Sequence, residues 1–232
     1  MKIYAISDLH LSLTCDKPMD IFGGNWEGYT EKIEENWKNK VLEEDLVLIA
    51  GDISWAMKLE DSVSDLEWID KLPGKKIIIK GNHEFWWKSI SAVREILPKS
   101  IRAIQNDAIK IGDLIICGTR GWTVPEENKE FSEEDEKIYK REVERLKLTL
   151  KSAKVLQVGN EKIICMMHFP PFDGNGNDSE FVKLFKEYGV SVVVFGHLHG
   201  YTNCKLKQTK NDITYYFTSC DHINNDPVEI IL

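Results

Sequence analysis

The sequence predicts an α/β protein with a parallel or mixed β-sheet, and three observations support this fold class. Short apolar runs rich in β-branched residues alternate with segments whose apolar residues recur at helical spacing. Between residues 46 and 97, the order strand, helix, strand, helix is typical of βαβ units with right-handed crossovers. Residues 108–117 then break at Gly112-Asp113 as a hairpin does, which suggests a second sheet.

Strands are predicted where apolar residues run without interruption, because strands buried on both faces show no alternation. The clearest run is Leu46 to Ala50, which ends in Gly51-Asp52. The same rule predicts strands over 2–6, 76–80, 108–111, 114–117, 162–167 and 192–195. Residues 203–207 and 213–218 alternate between apolar and polar types, which predicts antiparallel strands in the tail.

Helices are predicted over residues 30–43, 61–72, 89–97, 132–154 and 179–188. In the first of them, Ile33, Trp37 and Val41 recur at helical spacing and would face the sheet. Pro73-Gly74 ends the second. The long helix 132–154 begins with the acidic cluster 133–136, which suits the positive end of a helix dipole. We therefore interpret this cluster as structural rather than as a metal site.

Composition limits the function and predicts one domain over residues 1–232. Candidate site residues run from position 8 to position 199, and no Pro/Gly/Ser-rich linker divides them. The net charge of −8 disfavours a dedicated nucleic-acid binder. No apolar run approaches the roughly 18 residues that span a bilayer, and no secretory signal is visible, so no membrane association is expected. The five cysteines form no C-x-x-C pair, which fits reduced thiols in the cytoplasm.

Five predicted strands are followed by residues that commonly bind metal ions. The residues are Asp8 and His10, Asp52, Asn82 and His83, His168, and His197 and His199. Because ligands of open α/β sheets bind at the carboxyl ends of strands, one site can gather all of them. Imidazole mixed with carboxylate and amide oxygens suits divalent Mn, Fe, Zn, Co or Ni. The number of candidate ligands is too large for one tetrahedral ion and fits two ions that share a carboxylate.

The ordered motifs Asp8-x-His10, Gly51-Asp52, Gly81-Asn82-His83-Glu84, His168 and Gly196-His197-x-His199 resemble those of the calcineurin-like metallophosphoesterases. The resemblance implies a four-layer sandwich, in which two mixed β-sheets pack between helices and the active site lies at the carboxyl ends of the strands. It also implies two divalent transition-metal ions. One would bind Asp8, His10 and His199, the other Asn82, His168 and His197, and Asp52 would bridge the two.

By the same resemblance, a metal-bridging hydroxide would attack a phosphate ester, and His83 would stabilise the transition state and protonate the leaving oxygen. Where the family most often has Asp, this chain has Glu84, which we expect to orient the His83 ring. Arg120 is interpreted as a surface residue, with phosphate contact as the alternative. His222 receives no role.

Other functions stay open at this stage. A phosphodiesterase or nuclease of the same family would use the same residues, and a non-catalytic scaffold would keep the fold while typically lacking some ligands. The phosphorylated substrate is not identified by any motif, nor is the oligomeric state. Specificity is expected from the loops at 12–29, 55–60, 119–131 and 169–178. The aromatic residues Phe22, Trp26 and Tyr29 would either line the substrate pocket or anchor their loop.

Overall fold

The structure is a computed structural model that describes residues 1–127, 129–200 and 203–232. The strands in these ranges are β1 (Ile3–Ile6), β2 (Leu46–Ile49), β3 (Lys75–Ile78), β4 (Ile101–Ala103), β5 (Asp107–Ile111), β6 (Leu114–Thr119), β7 (Lys162–Met167), β8 (Val190–Phe195), β9 (Lys207–Lys210), β10 (Ile213–Phe217) and β11 (Val228–Glu229). The helices are α1 (Tyr29–Lys40), α2 (Val63–Asp70), α3 (Ile90–Ile96), α4 (Glu133–Leu156) and α5 (Glu180–Glu187).

The strands form two mixed sheets, which confirms the predicted fold class. The first has the order β11-β1-β2-β3-β4, and only β11 is antiparallel to its neighbour. The second has the order β5-β6-β7-β8-β10-β9, in which the central strands β6, β7, β8 and β10 are parallel and both edge strands are antiparallel. Parallel pairing within each sheet brings the carboxyl ends of its central strands to one edge.

The two sheets pack face to face between two layers of helices. Leu48 and Ile77 of the first sheet share one buried cluster with Ile116 and Ile164 of the second. The opposite face of the first sheet packs on α1, α2 and α3, and that of the second sheet packs on α4 and α5. This arrangement is the four-layer sandwich that the resemblance implies.

The helix α4 supports the structural interpretation of the acidic cluster 133–136. The Oγ atom of Ser132 accepts a hydrogen bond from the backbone N–H of Asp135 (3.0 Å), which caps the helix as a preceding serine commonly does. Glu133 is almost fully exposed, as expected of a solvated helix start. None of the described helices, α4 included, combines the length and apolar character needed to cross a membrane.

The tail differs from its prediction, because the strand predicted over 203–207 lies at Lys207–Lys210. Asn211 and Asp212 both have positive φ, as in the tight hairpin turns that suit strand twist. This turn pairs Lys210 with Ile213 and so fixes the register of β9, a polar edge strand that gives no apolar signal. The edge strands β4 and β11 are not predicted either, because three and two residues are too few to show a pattern.

We predict that Ile164→Ala lowers the free energy of unfolding by about 2–5 kcal/mol, because its side chain is fully buried between the sheets. The control is Val155→Ala in α4, where the side chain is 80% exposed and a change within about 0.5 kcal/mol is expected. Urea denaturation monitored by tryptophan fluorescence measures both values. Equal losses in the two variants would contradict a core shared by the two sheets.

Candidate metal centre

The structure brings all the predicted ligands together at the carboxyl ends of five strands. We define the first cluster as Asp8, His10 and His199, and the second cluster as Asp52, His168 and His197. In each cluster, one ligand atom from every residue lies within 4.8 Å of the others. The ligands come from both sheets, since β1, β2 and β3 belong to one and β7 and β8 to the other. The site therefore depends on how the sandwich closes.

In the first cluster, nitrogen atoms of two rings face each other beside a carboxylate. Nε2 of His10 lies 3.2 Å from Nε2 of His199, which is 3.4 Å from Oδ1 of Asp8. Nδ1 of His199 lies 3.0 Å from Oδ1 of Asp221, so Nε2 is the ring atom that remains free to coordinate a metal ion. Asp8 is itself fixed by hydrogen bonds from the hydroxyls of Ser7 and Ser219.

The second cluster is joined by the side-chain amide of Asn82. Its Oδ1 atom lies 2.8 Å from Nε2 of His168 and 2.9 Å from Nδ1 of His197. Nδ1 of His168 is 3.0 Å from the carbonyl oxygen of Ala50, which directs Nε2 toward the centre. Asn82 is thus placed as a further oxygen donor for the second cluster.

Asp52, a member of the second cluster, also faces the first. Its Oδ2 atom is 3.7 Å from Nε2 of His10 in the first cluster and 3.3 Å from Nε2 of His168 in the second. Oδ1 instead accepts a hydrogen bond from the backbone N–H of His83 (2.9 Å). One carboxylate oxygen therefore faces ligands of both clusters, as a bridging residue must.

The residues present fit two divalent ions. Neighbouring ligands bonded at about 2.1 Å to one ion lie roughly 3.0–3.4 Å apart, which is close to the separations of 3.2–3.4 Å within the clusters. Imidazole nitrogens that face one another across such gaps need a shared electrophile or a proton to offset lone-pair repulsion. In His168 and His199, the Nδ1 atom that faces away from the centre is hydrogen-bonded to a carbonyl or a carboxylate oxygen. Such hydrogen bonds orient histidine ligands of metal ions in proteins.

Unusual backbone conformations aim these side chains. Asp8, His10, Asp52 and His197 have φ between 43° and 77°, a left-handed region that non-glycine residues seldom adopt. Close packing also requires glycine at position 81, because a Cβ atom there would collide with the carboxylate of Asp52. Such strain concentrates at functional sites.

Burial and mutual charge shift the pKa values of the centre. Burial disfavours the charged ring of His168, but the carboxylates around it, Asp52 first, outweigh burial and raise its pKa to about 9. Burial is likewise outweighed at His199, where Asp221 and Asp8 raise the pKa to about 10. At His10, burial prevails and lowers the pKa to about 4. In the metal-free protein, His168 and His199 therefore carry protons at neutral pH.

Comparison with known proteins assigns the chain to a family. The family model described as "Calcineurin-like phosphoesterase" matches residues 1–201. The chain belongs to this family of phosphoesterases. A curated relative, the uncharacterized protein MJ1445 of Methanocaldococcus jannaschii, is 30% identical over 88 residues. That match covers 36% of this chain and 47% of the relative, or about half of its length.

Solved structures share the fold of this chain at low sequence identity. One is the phosphopantetheinyl hydrolase PptH of Mycobacterium tuberculosis, with a TM-score of 0.60, 13% identity, and coverage of 99% of this chain and 95% of that one. Another is TT1561 of Thermus thermophilus, with a TM-score of 0.58, 12% identity, and coverage of 98% and 97%. At these identities the similarity concerns the fold alone.

Glu84, the departure from the family motif, does not orient His83 as expected. Its fully buried carboxylate accepts hydrogen bonds from the backbone N–H groups of Gly81, Asp52 and Ile53. Burial, aided by the charge of Asp52, raises the pKa of Glu84 to about 8. The prediction was wrong because backbone N–H groups occupy both carboxylate oxygens of Glu84, which thereby ties together the two loops that carry Asp52 and Asn82.

His83 lies at the edge of the centre, and its side chain is 37% exposed. Its Nε2 atom is 3.9 Å from Oδ2 of Asp52, and its ring contacts Trp55 at 4.5 Å between centroids. Burial lowers its pKa. His83 belongs to neither cluster, which fits a residue that meets substrate.

Arg120 is not the surface residue that the sequence suggested. Its guanidinium lies 3.2 Å from Oε1 of the buried Glu142 and stacks over Trp122. Of the three aromatic residues in the first loop, Phe22 and Trp26 line the cavity beside the centre, whereas the Tyr29 hydroxyl donates to the carbonyl of His10 (2.8 Å). Tyr29 thus anchors the loop, whereas substrate contact by Phe22 and Trp26 stays a prediction.

The sequence analysis missed Asp221, Ser219 and Trp55. Asp221 follows β10, which runs parallel to β8, so the rule that finds ligands at strand ends also applies to it. Its signal was missed because the tail was interpreted as antiparallel. Trp55 stacks on His10 at 4.7 Å, a contact that depends on the chain path and has no local signal. Residue 128 of the predicted specificity loop 119–131 lies outside the described residues.

We predict that Asp52→Asn weakens metal binding at both clusters, because the amide removes the charge that faces both. The loss should exceed the roughly 10–100-fold typical of losing an outer hydrogen-bond partner. Titration with Mn²⁺ followed by calorimetry measures it, with the exposed hairpin variant Asp113→Asn as control. Two ions retained at wild-type affinity would refute the bridge.

We also predict that Mn²⁺ binding at pH 7.5 releases about two protons, since His168 and His199 must lose theirs to coordinate. Affinity should accordingly fall as the pH is lowered from 8 to 6. Calorimetry in buffers of different ionisation enthalpy counts the protons.

Asp221→Asn tests the cause of this proton release. The variant removes one of the two carboxylates that raise the pKa of His199, so the count should fall toward one. No release in the wild type, with affinity independent of pH, would show that the ligands are already neutral.

Proposed function

We propose that this phosphoesterase hydrolyses phosphate esters with two divalent transition-metal ions. One ion would be held by Asp8, His10 and His199, the other by Asn82, His168 and His197, with Asp52 shared. The observation that carries the proposal is the position of Asp52, whose Oδ2 atom lies within 3.7 Å of an imidazole nitrogen in each cluster. A single-ion site would not need that arrangement.

Two ions so held would lower the pKa of water and neutralise the charge of a phosphate group during in-line displacement. The mixed nitrogen and oxygen donors support Mn, Fe, Zn, Co or Ni rather than an all-oxygen ion such as Ca. Burial of Asp8 and Asp52 keeps bulk water from competing for these ligands.

His83 would supply the proton that the leaving oxygen needs. Its Nε2 atom faces Asp52, whose negative charge supports the protonated ring, and its exposed edge opens to the cavity where substrate would enter. The hydrogen bond from its backbone N–H to Oδ1 of Asp52 fixes the loop, so the ring stays beside the centre while it exchanges protons with solvent.

A screen of esters and metals tests the function. Chelator-treated protein is reloaded with Mn, Ni, Co, Zn or Mg and assayed with p-nitrophenyl phosphate, bis(p-nitrophenyl) phosphate and nucleotides. We expect turnover only after reloading, and none in Asp52→Asn. Faster cleavage of the diester would favour a phosphodiesterase or nuclease. Absence of turnover with every metal and ester would instead favour a non-catalytic scaffold.

We predict that His83→Ala keeps both ions while the rate on an alkyl phosphate falls by a factor on the order of 10²–10⁴. The loss on p-nitrophenyl phosphate should be much smaller, because p-nitrophenolate leaves without a proton. Mass spectrometry of the bound metal provides the control, and Asn82→Ala, which removes a proposed ligand, provides the contrast. Equal losses on both esters would make His83 a charge stabiliser only, and loss of metal would make it a ligand.

A further inference from the structure

A cavity of about 790 Å³ opens directly onto the candidate metal centre. Three histidines of the centre, His10, His83 and His199, form one side of it. Its volume lies within the range of about 300–1,000 Å³ that is usual for small-molecule sites. A substrate whose phosphate lay at the centre would therefore extend its remaining part into this cavity.

The wall of the cavity is aromatic up to the centre itself. Trp55 stacks on His10 with a centroid distance of 4.7 Å and an interplanar angle of 20°. Trp26 meets His199 edge to face at 5.3 Å. At the rim, Phe22 is 68% exposed, although burial of so large an apolar ring is favourable. A bound flat ring would cover Phe22 and pack against this wall.

The charge of the wall does not favour an anionic occupant. No lysine or arginine is among the described residues that line the cavity. Among the described lining residues other than histidines, Asp221 is the one with a charged side chain. Its oxygens face the ring of His199 and the backbone N–H of Gly200. Lys17 lies over the Trp55 ring, 5.0 Å from its centroid, but does not line the cavity. Away from the metal centre, a second phosphate or carboxylate on the substrate would find no lysine or arginine among the described lining residues.

Resting on the proposed phosphoesterase function, we propose that the cavity binds the leaving group, and that the preferred substrates are phosphate esters of flat, uncharged aromatic or heteroaromatic alcohols. In the reaction, water adds to phosphorus, the bond from phosphorus to the ester oxygen breaks, and that oxygen leaves as the alcohol after it takes up a proton. The aromatic ring itself is unchanged, and its binding sets specificity.

Three esters of primary alcohols test the proposal with the Mn²⁺-loaded protein. The esters are 2-naphthylmethyl phosphate, 6-carboxy-2-naphthylmethyl phosphate and propyl phosphate. Burial of the naphthyl ring should raise kcat/KM over that of the propyl ester on the order of 10–100-fold. The carboxylate should remove most of that gain, because the described residues that line the cavity include no lysine or arginine.

Two neighbouring variants localise the effect. Phe22→Ala should reduce the preference for the naphthyl ester by about 2–10-fold, mainly through KM. Ile21→Ala is the matched control, since this side chain is 75% exposed on the same turn and does not line the cavity. Both side chains are exposed, so neither variant should lose its fold.

The outcomes separate the two proposals. Equal kcat/KM values for the naphthyl and propyl esters would overturn the assignment of the cavity and leave the phosphoesterase function intact. A preference that Ile21→Ala reduces as much as Phe22→Ala would also overturn it. Absence of turnover of every ester by metal-loaded protein would overturn both proposals together.

Discussion

The candidate centre depends on the contact between the two sheets at the carboxyl ends of their strands. Asp8 and Asp52 follow strands of one sheet, whereas His168 and His197 follow strands of the other. Where the two sheets meet at this edge, the joint between them leaves no room for a residue larger than glycine at position 51. A Cβ atom at Gly51 would lie 2.7 Å from Nδ1 of His168. The buried apolar cluster between the sheets holds this joint closed. Packing of the core therefore fixes the positions of the charged side chains at its edge.

That placement has an energetic cost which the surrounding structure offsets. Left-handed backbone at residues such as Asp8 and Asp52 costs on the order of 1–3 kcal/mol each. Both carboxylates are also buried, and each is compensated by hydrogen bonds, from Ser7 and Ser219 in one case and from His83 in the other. Glu84 accepts hydrogen bonds from four backbone N–H groups in the same network. Bound cations would relieve the remaining repulsion between ligands, so the metal-free centre is prepared for them.

The mixed α/β fold class and the gathering of the ligands could be predicted because both follow from local rules, whereas the four-layer sandwich was implied by the family resemblance. Uninterrupted apolar runs indicate buried strands, and a ligand that follows such a run, such as His168, lies at the carboxyl edge. Contacts that depend on the path of the chain were beyond those rules: Glu84 binds backbone amides instead of His83, and Arg120 pairs with the buried Glu142. The organisation of residues 1–232 as one domain and the role of each ligand stay predictions.

The central claim is that two ions share Asp52, and anomalous diffraction from crystals of the Mn²⁺-loaded protein tests it most directly. The account predicts two anomalous peaks, about 3.5–4 Å apart, on either side of the Asp52 carboxylate. One peak should be within bonding distance of His10 and His199, and the other of His168 and His197. A single peak, or a pair that Asp52 does not bridge, would contradict the account.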